Sequence, residues 1–160
     1  MVVENLDQYL DLGHLALFFG LRVNELVIEQ MKAAGFGEAR ESHGYVIQHL
    51  IENERTITQL AERMEVTQQA ASKTVAEMVR LGILETASKS GDRRTKLIRL
   101  SPRTWEAVSF SREERRKIEK RVVAAIGENS YTKAKQLLAR CLRELGALER
   151  IESRKVRIPT

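Results

Sequence analysis

The stretch TQQAASKTVAEMVRLG, Thr67 to Gly82, spaces hydrogen-bonding side chains in a way that suits reading of nucleic-acid base edges. At about 100° per residue, Gln69, Lys73, Ala76 and Arg80 share one helical face, with Ser72 at its margin. Ala71, Val75, Met78 and Gly82 share the opposite, inner face. The first half of the outer face offers the amides of Gln68 and Gln69, a hydroxyl and an ammonium, and no carboxylate. Glutamine can pair bidentately with adenine, and lysine can donate to guanine O6 and N7. The first turn of such a helix also points free N–H groups and the positive dipole end at a phosphate. Ala70 and Ala76 are small enough to let the helix sit deep in a groove. Glu77, near the outer face, is a counter-signal, and an ordinary amphipathic surface helix shares the same periodicity. A second cluster follows at SKSGDRRT, residues 88–95, where Lys89, Arg93 and Arg94 stand on one short polar segment with Asp92 the only acid. A narrow minor groove concentrates negative potential and accepts an extended arginine. Asp92 could pair with an arginine and shape the tip in advance. Taken alone, D-R-R is commonly a solvated turn with a weak ion pair.

The elements that must hold these groups are legible from caps and period. Asn5 or Asp7 opens a helical pattern that runs to about Ala34, with Leu6, Leu10, Leu17, Leu21 and Ile28 on one stripe and Tyr9, Ala16, Val23, Val27 and Met31 on another. A single helix of about 30 residues would reach about 45 Å, so it is expected to touch a second subunit as well as its own chain. A second helix is predicted over Ala39–Asn53. Thr56 and Gln59 have the spacing of a capping box and open a third helix, and Thr67 caps a fourth that runs to about Leu81 and stops at Gly82. Ile83–Ala87 and Lys96–Leu100 read as two strands of a hairpin with a long charged tip. Ser101 with Pro102 at the first helical position starts a helix to about Ile126, and the last helix is predicted over Thr132–Ser153, carrying Leu138, Leu142, Leu145, Leu148 and Ile151 close to a heptad seam. Helices three and four, joined by a short turn, form a helix-turn-helix, and the hairpin is its wing.

Composition narrows the function class. The chain has 160 residues, 42% hydrophobic and 31% charged, ordinary for a globular chain that buries a core. No apolar run approaches the length of about 18 residues that spans a bilayer, and the acidic start MVVENLDQYL lacks the basic region of a secretory signal. One cysteine, Cys141, excludes an internal disulfide framework, so a cytoplasmic protein is expected. The net charge of +5 is unevenly spread: residues up to Glu62 hold 4 basic and 10 acidic side chains, whereas Arg63–Arg121 hold 15 and 8. A basic middle after an acidic start points to a local polyanion footprint. No Gly-rich phosphate loop and no nucleophile motif is present, so a regulator rather than an enzyme is expected.

The segment TITQLAERMEVTQQAASKTVAEMVRLGILETASKSGDRRTKLIRLS resembles the winged helix-turn-helix of the MarR family of transcriptional regulators. The T-x-x-Q-L-A start, the capped helix ending in L-G-I-L, the D-R-R wing and the strand running into L-S carry the resemblance. Flanking helices extend it over nearly all of the chain. It implies a mainly α fold of the α+β winged-helix kind, residues 1–160 forming a single chain of that type, with a DNA-binding region at 39–101 and dimerisation helices at 1–38 and 102–160. It further implies a homodimeric repressor of a pseudo-palindromic operator in double-stranded DNA, relieved by a small aromatic or phenolic ligand. By analogy Thr67, Gln68, Gln69, Ser72 and Lys73 contact the major groove. Asp92 and Arg94 match the family's D-x-R wing motif, and Lys89 and Arg93 complete the basic tip. Many relatives have a glycine where this chain has P-R-T-W, which makes a ligand pocket harder to place. His14, Phe18, His43 and Trp105 are the candidate lining residues, though any one of them taken singly reads better as core or interface.

No cofactor and no metal site is expected. Glu41 and His43, with His49 or His14, lack the C-x-x-C or H-x-x-x-H spacing of a metal site, and Cys141 reads as a buried structural thiol. The competing readings are a metal- or redox-responsive regulator of the same fold, a winged helix that binds protein instead of DNA, and an architectural protein without sequence preference.

Overall fold

The computed structural model describes residues 5–37, 41–89 and 92–147, with 41, 42, 89 and 92–95 as backbone only. In chain order it runs α1 (Leu6–Tyr9), α2 (Leu12–Ala33), α3 (Glu41–Leu50), α4 (Ile57–Met64), α5 (Gln68–Arg80), β1 (Leu84–Lys89), β2 (Asp92–Leu100), α6 (Pro102–Ile126) and α7 (Glu128–Glu144). The strands form an antiparallel two-stranded sheet. This is the mainly α, winged-helix arrangement that the caps and periods anticipate.

The expected single N-terminal helix is in fact two. Leu10 is extended, and Asp11 caps α2 by accepting from the His14 N–H at 2.9 Å. A local carboxylate cap offers the backbone an alternative to continuing the helix, and the apolar period that runs through Leu10 cannot show it. At the other end Gly127, with φ +84°, is alone the break between α6 and α7, so α7 starts at Glu128 rather than Thr132. Only glycine occupies that backbone region at low cost. The strands reach farther toward the tip than expected, and a register shift falls between Ser88 and Lys89. Leu148, Ile151 and the basic tail fall outside the described residues.

The core lies where α3, α4, α5 and the sheet meet. Val46, Leu50, Leu60, Val75, Met78, Ile83, Leu84, Ile98 and Leu100 form one buried cluster, Leu60 and Met78 wholly so. The α5 members Val75 and Met78 fall on the inward side of the helical period, and Leu84, Ile98 and Leu100 share one face of the sheet. Arg55 adds an isolated antiparallel bridge to β2: its N–H donates to the Ile98 carbonyl at 3.1 Å, and its carbonyl accepts from the Ile98 N–H at 2.7 Å. No described helix is long and apolar enough to cross a membrane.

Candidate nucleic-acid interface

The α4–turn–α5 unit is fixed by a capping box at the start of α4 and a threonine cap at the start of α5. Thr56 Oγ1 accepts from the Gln59 N–H at 3.2 Å and Gln59 Oε1 accepts from the Thr56 N–H at 2.9 Å, the capping box that the spacing implies. Glu65 then takes a left-handed conformation (φ 55°), and the Val66 N–H returns to the Ala61 carbonyl at 3.0 Å. Thr67 Oγ1 accepts from the Ala70 N–H at 3.2 Å and opens α5. Ala71, Val75 and Met78 are buried beneath that helix. Thr67, Gln68, Gln69, Ala70, Lys73, Ala76 and Arg80 are exposed, Ser72 and Glu77 half-buried. The outer face thus presents amides, an ammonium and a guanidinium, and the first turn of α5 contains no acid to oppose its dipole.

The wing stands beside this helix. Lys89 pairs in register with Asp92, which sets Lys89, Asp92, Arg93 and Arg94 at the outer end of the hairpin by backbone. Their side chains lie outside the described residues, as do residues 90 and 91. The base of the wing is fixed firmly. Thr104 Oγ1 donates to the Ile83 carbonyl at 2.7 Å, the Ser101 N–H donates to the same oxygen at 3.1 Å, and both side chains are buried. The start of α6 is therefore bolted to the start of β1. Arg55 Nε donates to the His49 carbonyl at 2.8 Å, and burial together with the nearby Arg63 charge holds the Arg55 guanidinium below its ordinary pKa.

The residues singled out for a ligand pocket do not meet. His14 is exposed and bonded to Asp11 at 2.8 Å, Phe18 is exposed, and His43 is buried in α3. Trp105 lies half open beside Glu52, Glu54, Glu85 and Arg99. A different cleft, of about 480 Å³, opens where α2 crosses α6. Val27, Met31, Phe36 and Val108 supply its apolar wall, and Arg103 and Arg115 flank it. Arg103 donates to the Gly35 carbonyl at 2.8 Å, and Arg115 to Asn24 Oδ1 at 3.1 Å. Residue type alone did not mark these positions, because the cleft depends on how two distant helices cross. Among the described residues no group of three or more His, Cys, Asp or Glu side chains could hold a metal ion.

Comparison with known proteins bears on the same region. A family model described as MarR family matches residues 41–95. YusO from Bacillus subtilis shares the fold at 19% identity, with a TM-score of 0.65 over 89% of this chain and 99% of that one. The S. aureus MepR–DNA complex aligns at 17% identity, TM-score 0.65, over 84% and 97%. S. aureus MepR bound to ethidium bromide aligns at 15% identity, TM-score 0.64, over 86% and 99%. Among curated proteins no sequence matches this chain.

Proposed function

We propose that this chain, whose residues 41–95 match a family model described as MarR family, is a homodimeric, sequence-specific repressor that a small molecule releases from DNA. The observation that carries the reading is the outer face of α5: a capped helix whose exposed N-terminal half holds Gln68, Gln69 and Lys73 and no carboxylate, beside a hairpin that ends in Lys89, Arg93 and Arg94. In this reading α5 enters the major groove, where Gln69 and Lys73 reach base edges and Thr67, Gln68 and Ser72 fix register on the backbone. Arg94, oriented by Asp92, enters the flanking minor groove. The MepR–DNA complex, a fold neighbour, supports this use of the scaffold.

Dimerisation is supported by apolar surface that the single chain leaves open. Leu17, Phe18, Phe19 and Leu21 on α2, Leu137, Leu138 and Leu142 on α7, and Leu145 just past its end are exposed. Patches of this kind mark interaction sites on soluble chains. A two-fold dimer would place its two α5 helices about 34–36 Å apart, one turn of the duplex. The α2–α6 cleft is the proposed effector site. Its apolar wall suits an aromatic ring, and its two guanidiniums suit a phenolate or other anionic group carried on that ring. Such a ligand lowers DNA affinity only by favouring a dimer with the wrong α5 separation.

Selection of bound sequences from a random duplex pool, with the full chain at near-physiological salt, tests the reading. One enriched inverted repeat with half-sites a helical turn apart is expected. Binding without enrichment would instead make the protein architectural.

A further inference from the structure

The two faces of the wing hairpin are chemically unlike. Register places Leu84 with Leu100, Thr86 with Ile98, and Ser88 with Lys96 on one face; Glu85 with Arg99 and Ala87 with Leu97 occupy the other. The first face begins as core, since Leu84, Ile98 and Leu100 are buried in the cluster that α5 completes. It then leaves the core: Thr86, Ser88 and Lys96 are exposed. A row of two hydroxyls and an ammonium therefore continues outward from the surface against which α5 packs. The opposite face has its cation neutralised, because Arg99 is held by Glu85 at 3.1 Å and by Glu54 at 3.8 Å. No described carboxylate shares the Lys96 face at the Thr86 and Ser88 positions.

Hydroxyls and lysine ammonium groups are the ordinary donors to phosphate oxygens. We infer that Thr86, Ser88 and Lys96 form a phosphate-binding flank of the wing, separate from its arginine tip, which seats the DNA backbone running between α5 and the wing. Lys96 supplies the charge and the hydroxyls supply neutral donors. The flank contributes position and affinity but no sequence information. Arg99, only three residues farther along the same strand, takes no part, because its charge is spent on Glu85 and Glu54.

This inference rests on the DNA-binding reading, and one titration series separates the two. Wild type, Lys96→Ala, Lys96→Arg and Arg99→Ala are titrated, as full chains, onto the selected duplex and onto a random-sequence duplex of equal length over a range of salt. Lys96→Ala is expected to weaken binding several-fold on both duplexes, and to reduce the slope of log affinity against log salt by about 1, as loss of one phosphate contact requires. Lys96→Arg is expected to restore the slope, and Arg99→Ala to leave it unchanged. A wild-type slope for Lys96→Ala overturns the inference, as does an equal loss of slope for Arg99→Ala. A Lys96→Ala loss confined to the selected duplex also overturns it, since that is base reading. Wild type that binds neither duplex overturns the DNA-binding reading, and the flank with it.

Discussion

Between Glu41 and Leu100 the chain closes its own core, whereas α1, α2 and α7 leave theirs open. Val46, Leu50, Leu60, Val75, Met78, Leu84, Ile98 and Leu100 are all buried within the single chain. Val27 is the one buried residue of α2, while α1 and α7 have none. Tyr9 is 78% exposed and Leu145 81%. The difference separates two tasks. The winged-helix segment holds α5 and the wing in a fixed mutual geometry without help. The outer helices carry exposed apolar surface, and in the proposed dimer they would set where two such segments stand relative to each other. Ser101 and Thr104 join the two regions by fastening α6 to the Ile83 carbonyl, so that a movement of α6 must carry the wing with it.

The largest expected effect falls in the closed region. Met78→Ala removes a wholly buried side chain of α5 and should cost about 2–5 kcal/mol of stability. Chemical denaturation at several protein concentrations checks it: the loss should be the same at each. A loss that shrinks as protein is concentrated would mean that the winged-helix core is shared between chains, and the contrast would fail. Next is the face of that same helix. Gln69→Ala should cost about 1–3 kcal/mol on the selected duplex, with neither the random duplex nor the unfolding midpoint affected, since Gln69 is exposed. Equal losses on both duplexes would make Gln69 a backbone contact. A smaller effect belongs to the open region. Leu142→Ala, at 38% exposure in the lone chain, should weaken self-association by about tenfold, or about 1.4 kcal/mol, as read by sedimentation. Unchanged association would remove α7 from the dimer face.

The closed region was also the legible one, and for a physical reason. Thr56 with Gln59, Thr67, and Ser101 with Pro102 are local signals, each acting within one turn of its helix, so a sequence displays them directly. The inward residues of α5 follow from a period of 3.6 alone. What escaped the sequence was set by distant partners or by competition. Asp11 breaks the first helix through a side-chain cap that interrupts no apolar period. The Arg55–Ile98 bridge pairs residues from separate elements that share no local pattern. The α2–α6 cleft is lined by Val27, Met31, Phe36, Val108, Arg103 and Arg115, which have nothing in common until two helices cross.

The smallest effect sharpens the contrast where the open region turns back on itself. At the Gly127 corner the Tyr131 hydroxyl donates to the Glu119 carboxylate, and Lys135 Nζ lies 3.2 Å from the same oxygen. The hydrogen bond from Tyr131, then that from Lys135, hold Glu119 below the usual carboxylate range, and the bond to Glu119 pushes Tyr131 up to about 12. A carboxylate with a depressed folded pKa adds stability above its unfolded value and loses it as pH falls through the folded one. A phenol with a raised folded pKa adds stability below its unfolded value and loses it as pH rises through about 12. The corner should therefore hold across neutral pH and loosen at both extremes. Glu119 and Lys135 are open to solvent, so screening keeps the gain small. An ultraviolet absorbance titration of the folded chain should show a phenol step near pH 12, and Tyr131→Phe should abolish that step. If Tyr131→Phe leaves the step near pH 12 in place, the corner is not fastened in solution. The angle between α6 and α7 would then have to be fixed by contacts other than this one.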